Sequence, residues 1–229
     1  MIFNALNFGK SVESMDIEAF KTDLSSDKFL YLLAGTHGDE VEGVYVLKKL
    51  FTWLKTDHTM KELPIVVVPI LNVDGYRMST RVNAHGVDLN RNYPSEDWTP
   101  EAKKERYNPG PEALSEPENK YLVKLFDKYP PGLIISFHSW KEIINYNGDG
   151  EEIAEYLSSY NGYEISDEIG YTTPGSLGTF VPAKYDNCPV ITFECPEIDD
   201  EMTLNDIWVK NEEGLKNLIQ SNALDKFFK

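Results

Sequence analysis

With 229 residues, 41% of them hydrophobic and 12% aromatic, the chain is long and apolar enough to bury a sizeable core, which excludes a disordered protein. Its 38 acidic residues against 22 basic ones give a net charge of −16, which argues against nucleic acid or an anionic membrane as a partner. No apolar run approaches the length that spans a bilayer, and the N-terminal segment lacks the pattern of a signal peptide. We therefore expect a cytoplasmic protein.

The predicted elements alternate between strands and helices. Apolar runs predict four buried strands, at residues 29–35, 63–70, 133–137 and 190–194. Apolar residues at helical spacing predict helices at residues 41–54, 151–160 and 204–220. Ser115 to Glu118 fits a capping box that opens a further helix. Residues 72–75 are interpreted as a turn, and residues 76–114 as a long irregular region.

This alternation predicts an α/β protein with a mixed, largely parallel twisted sheet that helices cover on both faces. The sequence shows no internal repeat, no low-complexity tract and no linker long enough to separate two units. We therefore expect residues 1–229 to form one domain.

Chemically active side chains follow the predicted strands at the ends where sites gather in such sheets. His37 follows the first strand, His138 the third, and Glu194 closes the fourth. Glu40 lies three residues after His37, and this pair has two interpretations. The first is an acid at a helix N-terminus beside a loop histidine, and the second is a pair of ligands to one metal ion. The positions of His138 and Glu194 favour the second.

A hydrolytic zinc site uses three histidine or carboxylate ligands and keeps a fourth position for water. His37, Glu40 and His138 can supply these ligands. Glu194 is an acid at the tip of an otherwise apolar strand and can act as the base that such chemistry needs. The other histidines, His58 and His85, receive no role.

Residues 72–94, NVDGYRMSTRVNAHGVDLNRNYP, combine arginines and asparagines without strand or helix periodicity. One interpretation is an ordinary turn-rich surface loop. In the other, Asn90 and Arg91 clamp a carboxylate, and Arg81 stabilises an oxyanion that develops on a carbonyl. Asp88 can then accept a hydrogen bond from a metal-bound histidine.

Taken together, these residues resemble those of the zinc carboxypeptidases and their amidase relatives. The resemblance depends on four motifs in order: GTHGDE at 35–40, NVDG and RVNAHGVDLNRNYP within 72–94, SFHS at 136–139, and TFECP at 192–196. It implies an α/β/α sandwich that holds one zinc ion (Zn2+) per chain. The residues it implies are His37, Glu40 and His138 on zinc, Glu194 as general base, Arg81 at the carbonyl, Asn90 and Arg91 on the substrate carboxylate, and Asp88 behind a ligand.

Within this family the chain is similar to the bacterial murein peptide amidases, which share a glycine-rich stretch like GYTTPGSLGTF at 170–180. The resemblance implies a small muropeptide substrate, cut between γ-D-glutamate and meso-diaminopimelate during peptidoglycan recycling. Tyr171 is the nearest candidate for the tyrosine that closes over the substrate in digestive carboxypeptidases. Two alternatives stay open, a deacylase of N-acyl amino acids and a peptide-binding relative without catalysis. The oligomeric state is not predicted.

Overall fold

The computed structural model describes residues 1–57, 61–168, 170–185 and 188–228. Among these residues the strands are β1 (Phe3–Ala5), β2 (Gly9–Lys10), β3 (Asp16–Ile17), β4 (Phe20–Thr22), β5 (Phe29–Ala34), β6 (Ile65–Val68), β7 (Pro131–Trp140), β8 (Ile143–Asn147), β9 (Glu164–Ser166) and β10 (Val190–Pro196). The helices are α1 (Val41–Thr56), α2 (Val73–Met78), α3 (Pro117–Lys128), α4 (Glu151–Asn161), α5 (Leu177–Lys184) and α6 (Leu204–Gln220). His58 lies outside the described residues.

Eight strands form one sheet in the order β1-β4-β6-β5-β7-β10-β8-β9. The four central strands, β6, β5, β7 and β10, run parallel to one another. Strand β4 joins one side of this group and β8 the other, both antiparallel. The prediction of a mixed, largely parallel sheet is confirmed.

Helices cover both faces of the sheet, and the central strand β5 shows this division by its alternation. Leu30, Leu32 and Ala34 join the core cluster that contains residues of α1, α4 and α6. Phe29, Tyr31 and Leu33 join the cluster that contains residues of α3 and α5. All six side chains are buried, which explains why β5 has a continuous apolar sequence.

All four predicted strands are present, and the third is longer than the sequence indicated. The prediction that it stops at His138 is wrong, because β7 continues to Trp140. Its last residues still pair with β10, where Glu194 is the register partner of His138 and Pro196 that of Trp140. The backbone ladder therefore carries β7 past the point where its apolar run ends.

The predicted turn at residues 72–75 is instead the start of α2. Asn72 caps this helix, because its side-chain oxygen accepts a hydrogen bond from the Gly75 N–H at 2.9 Å. Asparagine and glycine are common both in turns and at helix caps, so these residues alone do not distinguish a turn from a helix start.

The predicted capping box at the start of α3 does not form, because its groups are used elsewhere. Ser115 Oγ lies 2.6 Å from a side-chain oxygen of Glu116, to which it donates. The carboxylate of Glu118 is buried and accepts hydrogen bonds from Asn83 Nδ2 at 3.1 Å and the Val12 N–H at 3.2 Å. Tertiary partners have replaced the local cap.

Strands β1 to β4, β8 and β9 and helix α5 were not predicted. Several of these strands have only two or three residues, too few to show a period. Residues 79–114 are irregular as expected, with 3-10 turns at Leu89–Arg91 and Glu105–Tyr107. Among the described residues, no helix is both long enough and apolar enough to cross a membrane.

A glycine in α1 brings this helix close to the sheet. A Cβ atom at Gly43 would lie 2.8 Å from the Phe137 carbonyl carbon and 3.0 Å from the His138 nitrogen. The Gly43 N–H also donates to Ser139 Oγ at 3.1 Å. This contact fixes the start of α1, and therefore Glu40, against β7.

We expect Gly43→Ala to destabilise the protein by about 1–3 kcal/mol, because the added methyl group collides with the β7 backbone. In an open helix the same change would stabilise by up to about 1 kcal/mol. The sign of the change in unfolding free energy, measured by urea denaturation, therefore shows whether the helix lies close to β7 at this position. A gain in stability would contradict the close approach.

Candidate metal centre and substrate cavity

Three potential metal ligands converge near the C-terminal ends of β5 and β7. His37 follows β5, Glu40 directly precedes α1, and His138 lies within β7. The Nδ1 atoms of His37 and His138 lie 2.6 and 2.7 Å from the two carboxylate oxygens of Glu40. These two nitrogens lie 3.3 Å from each other. Among the described residues, this is the one group of at least three such side chains that could hold a metal ion.

The arrangement fits a zinc ion. Two nitrogen ligands at about 2.0–2.1 Å from a tetrahedral zinc are about 3.3 Å apart, which matches the spacing of the two Nδ1 atoms. Two imidazoles and one carboxylate are also a donor set that hydrolytic zinc sites use. Glu40 makes no side-chain hydrogen bond to the end of α1 although it is the N-cap residue, so its oxygens remain available to the site.

Asp88 supports this centre from behind and is fully buried. Burial raises the pKa of Asp88, but the charges of His37 and Arg81 and a hydrogen bond to His37 outweigh it, so the net pKa lies well below its usual range. The ionised carboxylate can only accept, so the His37 Nε2–H donates to it at 3.1 Å. When His37 is neutral, this hydrogen bond keeps the proton on Nε2 and leaves the Nδ1 lone pair for a metal ion.

Arg81 links Asp88 to the ligand group. Its Nε and Nη2 atoms lie 3.0 and 2.9 Å from Asp88 Oδ2. Its Nη1 atom lies 3.4 Å from a carboxylate oxygen of Glu40. The buried aspartate therefore holds this guanidinium group beside the candidate metal centre.

Glu194 lies on β10 beside His138, its register partner on β7. Its Oε2 atom is buried and has no hydrogen-bond partner among the described residues. Burial raises the pKa of Glu194 to about 7, and the nearby Glu40 carboxylate adds to the rise while His138 and Arg81 oppose it. A carboxyl group with this pKa can both take and return a proton near neutral pH.

One cavity of about 670 Å³ joins these groups. Its lining contains eight of the nine residues that the sequence singled out: His37, Glu40, Arg81, Asn90, Arg91, His138, Tyr171 and Glu194. The ninth, Asp88, lies behind His37. The structure therefore brings the predicted residues together, and their chemical roles stay predictions.

Asn90 and Arg91 present donors to this cavity. The Asn90 side-chain oxygen accepts a hydrogen bond from the Leu177 N–H at 2.9 Å, which leaves its NH2 group for the cavity. Arg91 is largely buried, and burial lowers the pKa of its guanidinium. Its Nη1 atom donates to the Asn90 carbonyl oxygen at 2.6 Å, and among the described residues no carboxylate lies within ion-pair distance of Arg91, so a substrate carboxylate could pair with the guanidinium.

The glycine-rich stretch is bound to the segment that carries Arg91. Gly175 has a φ of +71°, and its N–H donates to Ser95 Oγ at 3.1 Å. Its carbonyl oxygen accepts from the Tyr93 N–H at 2.9 Å. A Cβ atom at Gly175 would lie 2.2 Å from the Arg91 carbonyl oxygen. The glycine thus allows two segments to pack closely at the cavity wall.

Several cavity residues were missed by the sequence analysis. They are Arg106, Tyr107, Asn145, Asn147 and Thr192. Thr192 precedes Glu194 by two residues and therefore lies on the same face of β10. The alternation of side chains along the predicted strand could have identified it. The two asparagines lie on β8, which was not predicted.

Comparison with known proteins identifies the family to which the chain belongs. The family model described as zinc carboxypeptidase matches residues 2–200, so the chain belongs to the zinc carboxypeptidase family and is a hydrolase. Murein peptide amidase A of Escherichia coli strain K12 is 30% identical over 210 residues, covering 85% of this chain and 82% of the relative. Murein peptide amidase A of Vibrio campbellii is 29% identical and covers 86% and 82%.

Solved structures agree on the fold. The murein-tripeptide amidase of Escherichia coli O157 superposes with a TM-score of 0.78 at 29% identity, covering 96% of this chain and 92% of that one. Carboxypeptidase A of Helicoverpa armigera gives a TM-score of 0.81 at 17% identity, covering 97% and 69%. The second likeness shows the fold alone.

We expect Gly175→Ala to lower both stability and activity, because a methyl group there meets the Arg91 carbonyl oxygen in addition to the unfavourable φ. Gly162→Ala is the matched control, since Gly162 has a φ of +73° and open space around its Cβ position. The control should cost about 1 kcal/mol or slightly more. Stability is measured by urea denaturation and activity by peptide hydrolysis, and Gly175→Ala should lose more of each than Gly162→Ala. Equal losses in the two variants would contradict the close packing at Gly175.

Proposed function

We propose that this chain is a zinc-dependent murein peptide amidase that hydrolyses the amide between γ-D-glutamate and meso-diaminopimelate. One observation carries the proposal: a three-ligand centre, an acid with a raised pKa and an unpaired arginine line one cavity. The similarity to murein peptide amidases over most of the chain supports the choice of substrate. A cytoplasmic location and one domain over residues 1–229 stay predictions.

His37, Glu40 and His138 would hold one zinc ion per chain, which supplies a Lewis acid for the scissile carbonyl and lowers the pKa of water. Glu194 takes a proton from the attacking water and returns it to the leaving amine. Its raised pKa suits both transfers, because neither form of the carboxyl group is strongly favoured near neutral pH.

Arg81 stabilises the negative charge that develops on the carbonyl oxygen, and its hydrogen bonds to Asp88 hold it in place before the reaction. Asn90 and Arg91 bind the carboxylate of the leaving diaminopimelate residue. Tyr171 is half-exposed at the rim of the cavity and contacts bound substrate there.

The substrate class is tested by offering the zinc-loaded enzyme three compounds side by side. These are the tripeptide L-Ala-γ-D-Glu-meso-diaminopimelate, an N-acetyl amino acid and an N-succinyl amino acid. We expect release of free diaminopimelate from the tripeptide and little hydrolysis of the other two, as mass spectrometry would show. Cleavage of the N-acyl amino acids alone would identify a deacylase, and bound peptide without any hydrolysis would identify a binding protein.

Glu194→Gln should retain about one zinc per chain yet lose turnover by a factor on the order of 10³, because the amide cannot accept the proton. Zinc is measured by elemental mass spectrometry and turnover with the tripeptide. Glu213→Gln, the same change at an exposed position of α6, is the control and should behave as the unmodified enzyme. Near-normal turnover in Glu194→Gln would refute the role of Glu194.

A further inference from the structure

Three guanidinium groups surround a single tyrosine ring at the cavity. The central carbons of Arg81, Arg91 and Arg106 lie 5.3, 5.4 and 5.5 Å from the ring centre of Tyr107. The chain has only four arginines among its 22 basic residues, so three of the four gather here. Arginine, unlike lysine, presents a planar set of donors that matches a carboxylate. The same lining holds five acidic residues, so a guanidinium group that forms no ion pair with any of them offers a local site for an anionic group.

Two of the three arginines already have an observed partner or a proposed role. Arg81 is paired with Asp88 and Glu40. Arg91 is the residue to which the proposed function assigns the carboxylate of the leaving group. Arg106 is exposed, and among the described residues its side chain has no hydrogen bond and no carboxylate within 4.0 Å. Even Asp39, on the same cavity wall, lies beyond ion-pair distance.

The position of Arg106 indicates which part of a substrate it would meet. Besides the main cavity it lines an adjoining cavity of about 470 Å³, together with Arg81 and Asp39. Asn90 and Arg91 do not line this second cavity. Arg106 and Arg81 thus share a second cavity that Asn90 and Arg91 do not line, and under the proposed function the acyl part of the substrate extends towards it.

We propose that Arg106 binds the free α-carboxylate of a γ-linked glutamyl residue on the acyl side of the cleaved bond. This inference depends on the proposed function. A glutamyl residue joined through its side-chain carboxyl group keeps its α-carboxylate free, only a few bonds from the scissile carbonyl. An α-linked residue places no carboxylate at that backbone position. The Tyr107 ring supports the guanidinium by a cation–π contact.

The test compares two substrates that differ in one group. The first is L-Ala-γ-D-Glu-meso-diaminopimelate, and the second carries D-isoglutamine, in which the α-carboxylate is an uncharged amide. We expect the unmodified enzyme to favour the first by about 10-fold or more in kcat/KM. Arg106→Gln should lose most of this preference by slowing only the first substrate, and Arg106→Lys should retain part of it.

Lys104→Gln is the matched control. Lys104 lies two residues before Arg106 and lines neither cavity, so this change removes one positive charge without altering the cavity walls. It should keep the preference, whereas a general electrostatic effect would lower it equally. Thermal denaturation of each variant separates misfolding from loss of recognition. An unchanged substrate preference in folded Arg106→Gln would overturn the inference while leaving the amidase proposal intact.

Binding gives a readout that does not depend on turnover. Calorimetric titration of Glu194→Gln, with and without Arg106→Gln, should show that the carboxylate peptide binds more tightly and that Arg106 accounts for the difference. If the unmodified enzyme hydrolyses neither peptide, the proposed function fails, and the titration still decides the role of Arg106. Equal affinity for both peptides would overturn that role.

Discussion

The carboxylate of Glu40, held between two imidazoles, is the contact on which the rest of the site depends. Each of its oxygens lies within 2.7 Å of a different histidine, one after β5 and one in β7. Such a meeting requires the start of α1 to lie almost against the sheet. Gly43 allows it, because it faces the β7 backbone, and Gly38 lets the turn before α1 pack against α2, where a Cβ would lie 2.0 Å from the Gly75 carbonyl carbon.

The carboxylates around this contact differ in pKa because their surroundings differ. Asp88 is buried and ionised because His37 and Arg81 offset its loss of hydration, and it orients both of them. Glu194 lies beside His138 on the neighbouring strand, and burial raises its pKa, while its Oε2 atom accepts no hydrogen bond from the described residues. The pKa of Asp88 is therefore lowered and that of Glu194 raised, a difference that suits the supporting role proposed for Asp88 and the proton transfer proposed for Glu194.

The sequence predicted the parts of this protein whose signals are local. Buried strands such as β5 are short apolar runs, and the ends of these runs predicted that His37, His138 and Glu194 share one edge of the sheet, although β7 and β10 each continue two residues further. Features that depend on residues far away in the sequence were not predicted. The capping box at α3 is an example, because the Glu118 carboxylate accepts hydrogen bonds from Asn83 and the Val12 backbone instead. Arg106 escaped for the same reason: nothing within residues 100–110 indicates that its guanidinium shares a tyrosine with Arg81 and Arg91.

The distribution of charge connects the acidic chain to an anionic substrate. A net charge of −16 would by itself repel a peptide that carries several carboxylates. The cavity lining holds acidic residues as well, but three of the four arginines also line it, and among the described residues Arg91 and Arg106 form no ion pair with a carboxylate. At distances beyond about 10 Å salt screens the acidic surface, whereas contacts inside the cavity keep their strength. Under the proposed function, selectivity for acidic peptides therefore depends on Arg91 and Arg106, the two cavity arginines without an ion pair among the described residues.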